Sequence, residues 1–267
     1  MLQNSSNDSV ADTKKTARRS WREWAMIVIL PVWVLASFIA AQVVTVGVLW
    51  LLKVFHVPLD SINQNVMTTI LSAFIYIVAI VLTIGLPWLI RRRQVSRVEL
   101  GIYRLPLWKD ILMAPAGLVV YLILSALLML IAGGLIPGFN TTGHQDTGFS
   151  GLGQQYELIL AFITLVVIAP VAEEILFRGY LFSKLRKYVP VWIAILATSI
   201  LFGLIHAVGN NGDWSLAIDT FALSVVLCLL RLNTGSLWAS MLLHMIKNGI
   251  AFFFLFIYPV LHGTIGG

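Results

Sequence analysis

Two adjacent carboxylates lie inside an apolar stretch of the chain, where ionisable groups are rare. The stretch reads APVAEEILFRGYLF and contains Glu173, Glu174 and Arg178. On an α-helix Glu174 and Arg178 are four positions apart and share a face, so the spacing predicts an ion pair within the helix. Glu173 has no such partner nearby. Two neighbouring carboxyl groups titrate as a coupled pair, which is a property that suits a general base.

The depth of Glu173 in its helix also needs an explanation. Counted back from Lys184, it lies 11 residues into the helix, which is roughly 16 Å, near the middle of a bilayer core of about 30 Å. A charge there costs on the order of 2.5–3.5 kcal/mol. Pro170 lacks an amide donor, so we expect the Val166 carbonyl to be free and the helix to open there. The alternative, a buried Glu–Arg staple between helices, explains Glu174 and Arg178 but not Glu173.

Two later apolar stretches each carry polar residues at helical spacing. The first ends FGLIHA and places Phe202 and His206 four apart, and the second contains LLHMIKNG and places His244 and Asn248 four apart. Residues with this spacing stack on one helix face. Each pair has a structural alternative, because His206 could be an interfacial anchor and His244 with Asn248 could join helices by hydrogen bonds. We expect Glu173, His206, His244 and Asn248 to surround one cavity.

Together the three motifs resemble the CPBP family of intramembrane proteases, which includes the type II CAAX prenyl endopeptidases and the bacterial Abi-type proteins. The resemblance covers about Tyr156 to Tyr258, and the RLNTGSLW turn before the last helix is also similar. The ordered motifs are E-E-x-x-x-R at Glu173, Glu174 and Arg178, F-x-x-x-H at Phe202 and His206, and H-x-x-x-N at His244 and Asn248.

The resemblance implies hydrolysis of a peptide bond by an activated water. By this resemblance, Glu173 is the base and His206 helps to hold the water, while His244 and Asn248 donate hydrogen bonds to the oxyanion. Arg178 and Glu174 then position the base. A metallo-type alternative stays open, in which His206, His244 and Glu173 bind zinc and a water takes the fourth position. The sequence indicates no organic cofactor. Because it lacks the HExxH motif, it does not decide between the metal-free and the zinc-dependent mechanism.

The implied partners are the lipid bilayer and a peptide or protein substrate at the membrane, with a prenylated chain as one alternative. A different class is also open, namely a non-enzymatic ion- or proton-coupled transporter or scaffold that uses the buried Glu, Arg and His groups structurally. Transporters often contain repeated halves with broken helices, and we find none in the sequence. Nucleic acid is not an expected partner, because the basic residues flank apolar runs.

The elements that must position these residues are membrane-spanning helices. Of the 267 residues, 59% are hydrophobic and 11% are charged, with mean hydropathy +0.90, whereas soluble domains carry roughly a quarter charged residues. The sequence therefore predicts an all-α, polytopic integral membrane helix bundle. Seven apolar stretches approach the ~20 residues that a crossing needs. They lie near Trp24 to Leu52, Val66 to Ile90, Asp110 to Ile136, Tyr156 to Phe182, Val191 to Ala207, Ser215 to Leu230 and Leu237 to Tyr258.

The domain organisation follows from these stretches. We expect a disordered cytoplasmic tail at 1–20, scaffold helices at 21–155, catalytic helices at 156–258 and a C-terminal tail at 259–267. An eighth, half-inserted helix at Val98 to Trp108 is an alternative to a simple loop. Cys228 is the one cysteine, so no intramolecular disulfide forms.

The basic residues predict the orientation. With a cytoplasmic N-terminus, 15 of the 18 lysines and arginines fall in cytoplasmic segments, as the positive-inside rule requires. They are Lys14, Lys15, Arg18, Arg19 and Arg22, then Arg91, Arg92, Arg93, Arg97, Arg104 and Lys109, then Lys184, Arg186 and Lys187, and finally Arg231. The resemblance suggests a bacterial plasma membrane. We expect water and substrate to arrive from the cytoplasmic half or laterally between helices.

Overall fold

The protein is described by a computed structural model covering residues 20–92, 94–140, 146–210 and 212–262. Within these ranges, seven helices are long and apolar enough to cross a membrane, and they confirm the predicted all-α bundle. They are Trp21–Val54 (α1), Gln64–Ile90 (α2), Trp108–Leu135 (α3), Gln155–Leu185 (α4), Val191–Val208 (α5), Trp214–Thr234 (α6) and Trp238–Leu261 (α7).

Polar residues at the helix ends explain where several helices start. Ser20 and Glu23 form a capping box before α1, in which each side chain accepts from the other residue's backbone N–H. The Asp213 carboxylate accepts from the backbone amides of Ser215 and Leu216 in the first turn of α6, and Gly235, in the left-handed conformation, follows the end of that helix. These caps satisfy backbone groups that have no partner inside the helix.

α6 is the central helix of the bundle. In its most apolar stretch 67% of the residues are buried, against 11% in both α2 and α3. It packs between α5 and α3, and α7 packs against α3 and α6. α1 pairs with α2 at the side. The helices that carry the predicted chemistry therefore pack on the best-protected part of the fold.

α4 departs from regular α-helical geometry around Pro170. Ile163–Ile168 and Ile175–Phe182 are π-helical, and the Ala169 N–H bonds to the Thr164 carbonyl five residues back. In the register of that bond, the carbonyl opposite the Pro170 nitrogen belongs to Leu165. The expectation that Pro170 frees the Val166 carbonyl is therefore wrong by one residue, because it assumed α-helical spacing.

No eighth membrane-spanning helix occurs among the described residues. The segment 97–107 contains one helical turn, Arg97–Leu100, followed by Gly101 in the left-handed conformation. The Gly101 carbonyl accepts from the Leu237 N–H at 2.9 Å. The Glu99 carbonyl accepts from Arg231 Nη2 at 2.9 Å. This segment therefore lies against the α6–α7 connection as a loop.

Both predicted tails fall largely outside the described residues. Of the tail predicted at 1–20, the structure describes Ser20, which caps α1. At the other terminus α7 continues to Leu261, so helix extends into the range 259–267, of which 263–267 is not described. Cys228 is a buried free thiol.

A close approach of α5 to α6 depends on Gly203. A β-carbon there would lie 2.6 Å from the Ala217 carbonyl oxygen and 3.3 Å from Phe221 Cβ. We expect Gly203→Ala to lower the free energy of unfolding by about 1–3 kcal/mol, the usual cost of overpacking. Gly47→Ala is the control, since its β-carbon meets nothing within 4 Å. Unfolding of both variants in mixed detergent measures the difference, and equal stability would contradict this account of the contact.

Candidate active site

A polar cavity of about 190 Å³ lies between α2, α4, α5, α6 and α7. Four of the sequence-predicted residues line it together, namely Glu173, His206, His244 and Asn248. Glu174 and Arg178 do not line it but lie fully buried behind it. A larger cavity of about 330 Å³ between α3, α5 and α6 has only apolar side chains in its described lining. The polar cavity is therefore the candidate active site.

The buried carboxylate of Glu174 links two partners on different helices. Its Oε1 accepts from Arg178 Nη1 at 2.9 Å, which is the predicted pair within α4, and lies 3.1 Å from His244 Nδ1 on α7. A carboxylate can only accept, so Nδ1 of His244 carries the proton. His244 Nε2 then faces Glu173, 3.8 Å from Oε2. Glu174 thus fixes both the orientation and the tautomer of His244.

Glu173 has a partner that the sequence did not reveal. The Tyr76 hydroxyl, on α2, donates to Glu173 Oε1 at 2.7 Å, and the Glu173 side chain is 14% exposed. Its other oxygen, Oε2, is too far from His244 Nε2 for a direct hydrogen bond but close enough for one water to contact both. A tyrosine in the middle of an apolar helix needs a partner for its hydroxyl, and that was the only signal in the sequence.

His206 enters the cavity from the end of α5. Its Nδ1 lies 2.8 Å from the Phe202 carbonyl, so Nδ1 carries the proton and Nε2 is left as an acceptor. The Phe202 ring centroid is 4.4 Å from that of His206 and 6.0 Å from that of His244. Phe202 therefore packs against both imidazoles, which gives the phenylalanine of the F-x-x-x-H motif a packing role at the site.

Asn248 is held by the irregular part of α4. Its Nδ2 donates to the Leu165 carbonyl at 2.9 Å, the carbonyl that faces the missing amide hydrogen of Pro170. An amide nitrogen has two hydrogens, so the second one remains for the cavity that Asn248 lines. Pro170 thus acts on the site through the carbonyl that orients Asn248.

A second group of ionisable residues beside the cavity was also missed. Lys247 lines the cavity, and its Nζ lies 3.5 Å from Asp219 Oδ2 on α6. The hydroxyls of Tyr121 and Ser125, both on α3, donate to Asp219 Oδ1 at 2.6 and 2.7 Å. Lys247 occupies the last of the three x positions in the H-x-x-x-N motif, and its place inside an apolar stretch was the available signal.

The cavity opens at the end of the bundle opposite the start of α1. Its lining includes Asp146 and Thr147 of the α3–α4 connection, and Asp146 is exposed. The exposed lining therefore does not support access from the half that carries Lys184, while lateral access between helices stays a prediction. The expectation of access from the cytoplasmic half was based on the basic residues at the inner end of α4. These charges predict which end of the helix faces the cytoplasm, but they do not show at which end a cavity opens.

The fit of a metal ion can be tested on the donor atoms. Among the described residues, no three His, Cys, Asp or Glu side chains form a group that could hold a metal ion. Glu173, His206 and His244 share the cavity without forming such a group, so we derive no step through a metal.

Comparison with known proteins places this site inside a matched region. Residues 155–250 match the family model described as type II CAAX prenyl endopeptidase Rce1-like. This region includes all six predicted site residues, and it confirms the resemblance to CPBP intramembrane proteases. With the seven apolar helices, it supports a multi-pass integral membrane protein.

Two curated proteins are similar over part of their length. An uncharacterized 24.3 kDa protein of Escherichia coli is 34% identical over 91 residues, which cover 33% of this chain and 41% of that protein. The UPF0177 protein YxdF of Lactococcus lactis is 36% identical over 61 residues, which cover 23% of this chain and 33% of the relative. The alignments thus span less than half of either relative. No solved structure matches the chain significantly.

The buried Glu174–Arg178 pair gives a stability prediction. Both side chains have 0% exposure, so Arg178→Met leaves an uncompensated charge and should lower the free energy of unfolding by about 3–5 kcal/mol. The double variant Arg178→Met/Glu174→Leu should recover most of this loss. Lys187→Met is the control, because it breaks an exposed pair with Glu99 and should cost below about 1 kcal/mol. A double variant as unstable as Arg178→Met, measured by unfolding in detergent, would contradict the account.

Proposed function

We propose that this protein is an intramembrane endopeptidase that hydrolyses a peptide bond of a membrane-associated peptide or protein. One observation carries the proposal: Glu173 Oε2 and His244 Nε2 lie 3.8 Å apart at a polar cavity inside an apolar bundle. Two acceptor atoms at that separation suit a single water. The match to an endopeptidase family over residues 155–250 supports the same activity.

Glu173 is the proposed general base. The Tyr76 hydrogen bond holds one carboxylate oxygen, which leaves Oε2 to take a proton from the water as the water oxygen attacks the carbonyl carbon. Positioned proton transfer of this kind contributes typically about 10²–10⁴-fold to a rate. Breaking the C–N bond then requires that the proton pass to the leaving amine, and Glu173 faces the same cavity to deliver it.

His244 is proposed to hold the water together with Glu173. In the tautomer described above, Nε2 of His244 accepts one hydrogen of the water and Glu173 Oε2 faces the other, so both hydrogens of the water are used. His206 lines the same cavity, and its Nε2, also an acceptor, is left to receive a hydrogen bond from the substrate. His244 donates toward an oxyanion only when its ring is doubly protonated. The resemblance assigns His244 as an oxyanion donor. That role requires a second ring proton, and Glu174 would stabilise the resulting positive charge because its carboxylate contacts Nδ1.

Asn248 and Lys247 are the proposed groups that stabilise the oxyanion. The second Nδ2 hydrogen of Asn248 is available while the first is held by Leu165. Lys247 lines the same cavity, and its ammonium, paired with Asp219 at 3.5 Å, is a positive group beside it. Donors that are already fixed in place before the reaction lose no energy to reorganisation during it.

Replacing the base tests the proposal directly. Glu173→Gln keeps the shape of the side chain but cannot accept the proton, so we expect cleavage to fall by about 10²-fold or more. Membranes that contain either form are incubated, and new protein N-termini are quantified by mass spectrometry. The control is Glu157→Gln at the start of α4, where an amide oxygen can still accept from Asn63 and Asn65. Near wild-type cleavage by a folded Glu173→Gln protein would remove Glu173 from the mechanism.

Tyr76 should act by positioning Glu173. A hydrogen bond to a charged group is worth about 1.5–3 kcal/mol, so Tyr76→Phe should lower kcat roughly tenfold or more with little change in KM. Tyr156→Phe, at an exposed tyrosine on α4, is the matched control. An increase in KM at constant kcat would instead place Tyr76 in substrate binding.

A further inference from the structure

The open end of the cavity can be placed relative to the chain. Asp146, which lines the cavity, donates its backbone N–H to Asn210 Oδ1 in the α5–α6 connection at 2.7 Å. Three helices precede the first of these connections and five precede the second. An odd number of crossings places both at the end of the bundle opposite the start of α1. The cavity therefore reaches the surface at that end.

The end of the bundle that carries the start of α1 is closed beneath the site. On α4 the cavity lining stops at Glu173, and every residue from Leu176 to Phe182 is buried. A β-carbon at Gly179 would lie 3.3 Å from the Leu100 carbonyl oxygen, so the segment 97–107 packs directly over this part of α4. No opening toward this end is found among the described lining residues.

Ion pairs and a hydrogen bond connect the segment 97–107 to its neighbours. Glu99 Oε1 lies 2.7 Å from Lys187 Nζ and 3.3 Å from Lys184 Nζ. Burial raises the pKa of Glu99, but the two ammonium groups outweigh this effect and bring its pKa below the ordinary value. The indole N–H of Trp238 also donates to the Arg104 carbonyl at 2.7 Å. The segment is thus tied to both α4 and α7.

The charges identify the closed end with the cytoplasm. Of the 18 lysines and arginines, 15 flank that end in the sequence, while Lys53 lies in the last turn of α1 at the open end. Basic residues of short connections remain in the cytoplasm. We infer that the cavity opens away from the cytoplasm, so that the scissile bond belongs to a non-cytoplasmic segment of a membrane-anchored or exported polypeptide.

This inference separates the protein from an enzyme that processes cytosolic tails. A cytosolic chain end would have to pass the buried part of α4 and the segment 97–107 to reach Glu173. A segment outside the cytoplasm meets Asp146 and Thr147 first, both of which line the open cavity. The direction of the opening does not depend on catalysis, whereas the assignment of a substrate rests on the proposed protease function.

Thiol labelling tests the direction without any cleavage. In a Cys228→Ala background, Ser72→Cys places a thiol in the cavity lining and Gln94→Cys places one at the exposed closed end. We expect a membrane-impermeant maleimide to label Ser72→Cys in right-side-out vesicles and Gln94→Cys in inside-out vesicles, each from one side only. If both thiols are labelled from the same side, or if Ser72→Cys is labelled from neither side, the inferred direction of the cavity opening is contradicted. If Ser72→Cys is labelled in inside-out vesicles and Gln94→Cys in right-side-out vesicles, the inferred orientation of the protein in the membrane is contradicted.

The substrate class has a separate test. The new N-termini that depend on Glu173, found by comparing wild-type and Glu173→Gln membranes, should map to non-cytoplasmic segments. Glu173-dependent cleavage confined to cytosolic segments would overturn the inferred substrate while leaving the protease function intact. If no cleavage depends on Glu173 but the labelling pattern holds, the proposed function fails and the direction of the opening stands.

Discussion

The arrangement of the site depends on one buried carboxylate, that of Glu174. It has 0% exposure and accepts from Arg178 on its own helix and from His244 on α7. An isolated carboxylate in such a place costs several kcal/mol, and the two donors to Oε1 offset part of that cost, while Oε2 has no hydrogen-bond partner among the described residues. The pairing also leaves His244 a single tautomer and a single direction. The adjacent Glu173 then faces an acceptor nitrogen across a gap that suits a water molecule.

The second constraint is the backbone of α4. An α-helix pairs every carbonyl with an amide four residues on, and a proline leaves one carbonyl without that partner. In α4 the π-helical turn shifts the carbonyl opposite Pro170 from Val166 to Leu165. The Asn248 side chain donates a hydrogen bond to that carbonyl. The irregularity therefore links α4 to α7 at the site, and π-helical turns often mark functional sites in this way.

Features set by local sequence were predictable, and features set by distant partners were not. The seven spans followed from apolar runs, and the Glu174–Arg178 pair followed from i, i+4 spacing, because both depend on neighbours in the chain. Tyr76 lies 97 positions from Glu173, and a tyrosine hydroxyl among apolar residues indicates that it has a partner but not which residue that partner is. The register at Pro170 was missed because π-helical spacing leaves no mark in residue types. The side on which the cavity opens was missed because it depends on how the segment 97–107 packs.

The central claim is that Glu173 and His244 act on the same water. A double-mutant cycle measures this most directly, with cleavage rates of wild type, Glu173→Gln, His244→Ala and the double variant, all checked for folding. Groups that act as one unit are strongly non-additive. The account predicts that the double variant cleaves about as slowly as the slower single variant. Rate losses that multiply, as they would for two independent sites, would contradict it.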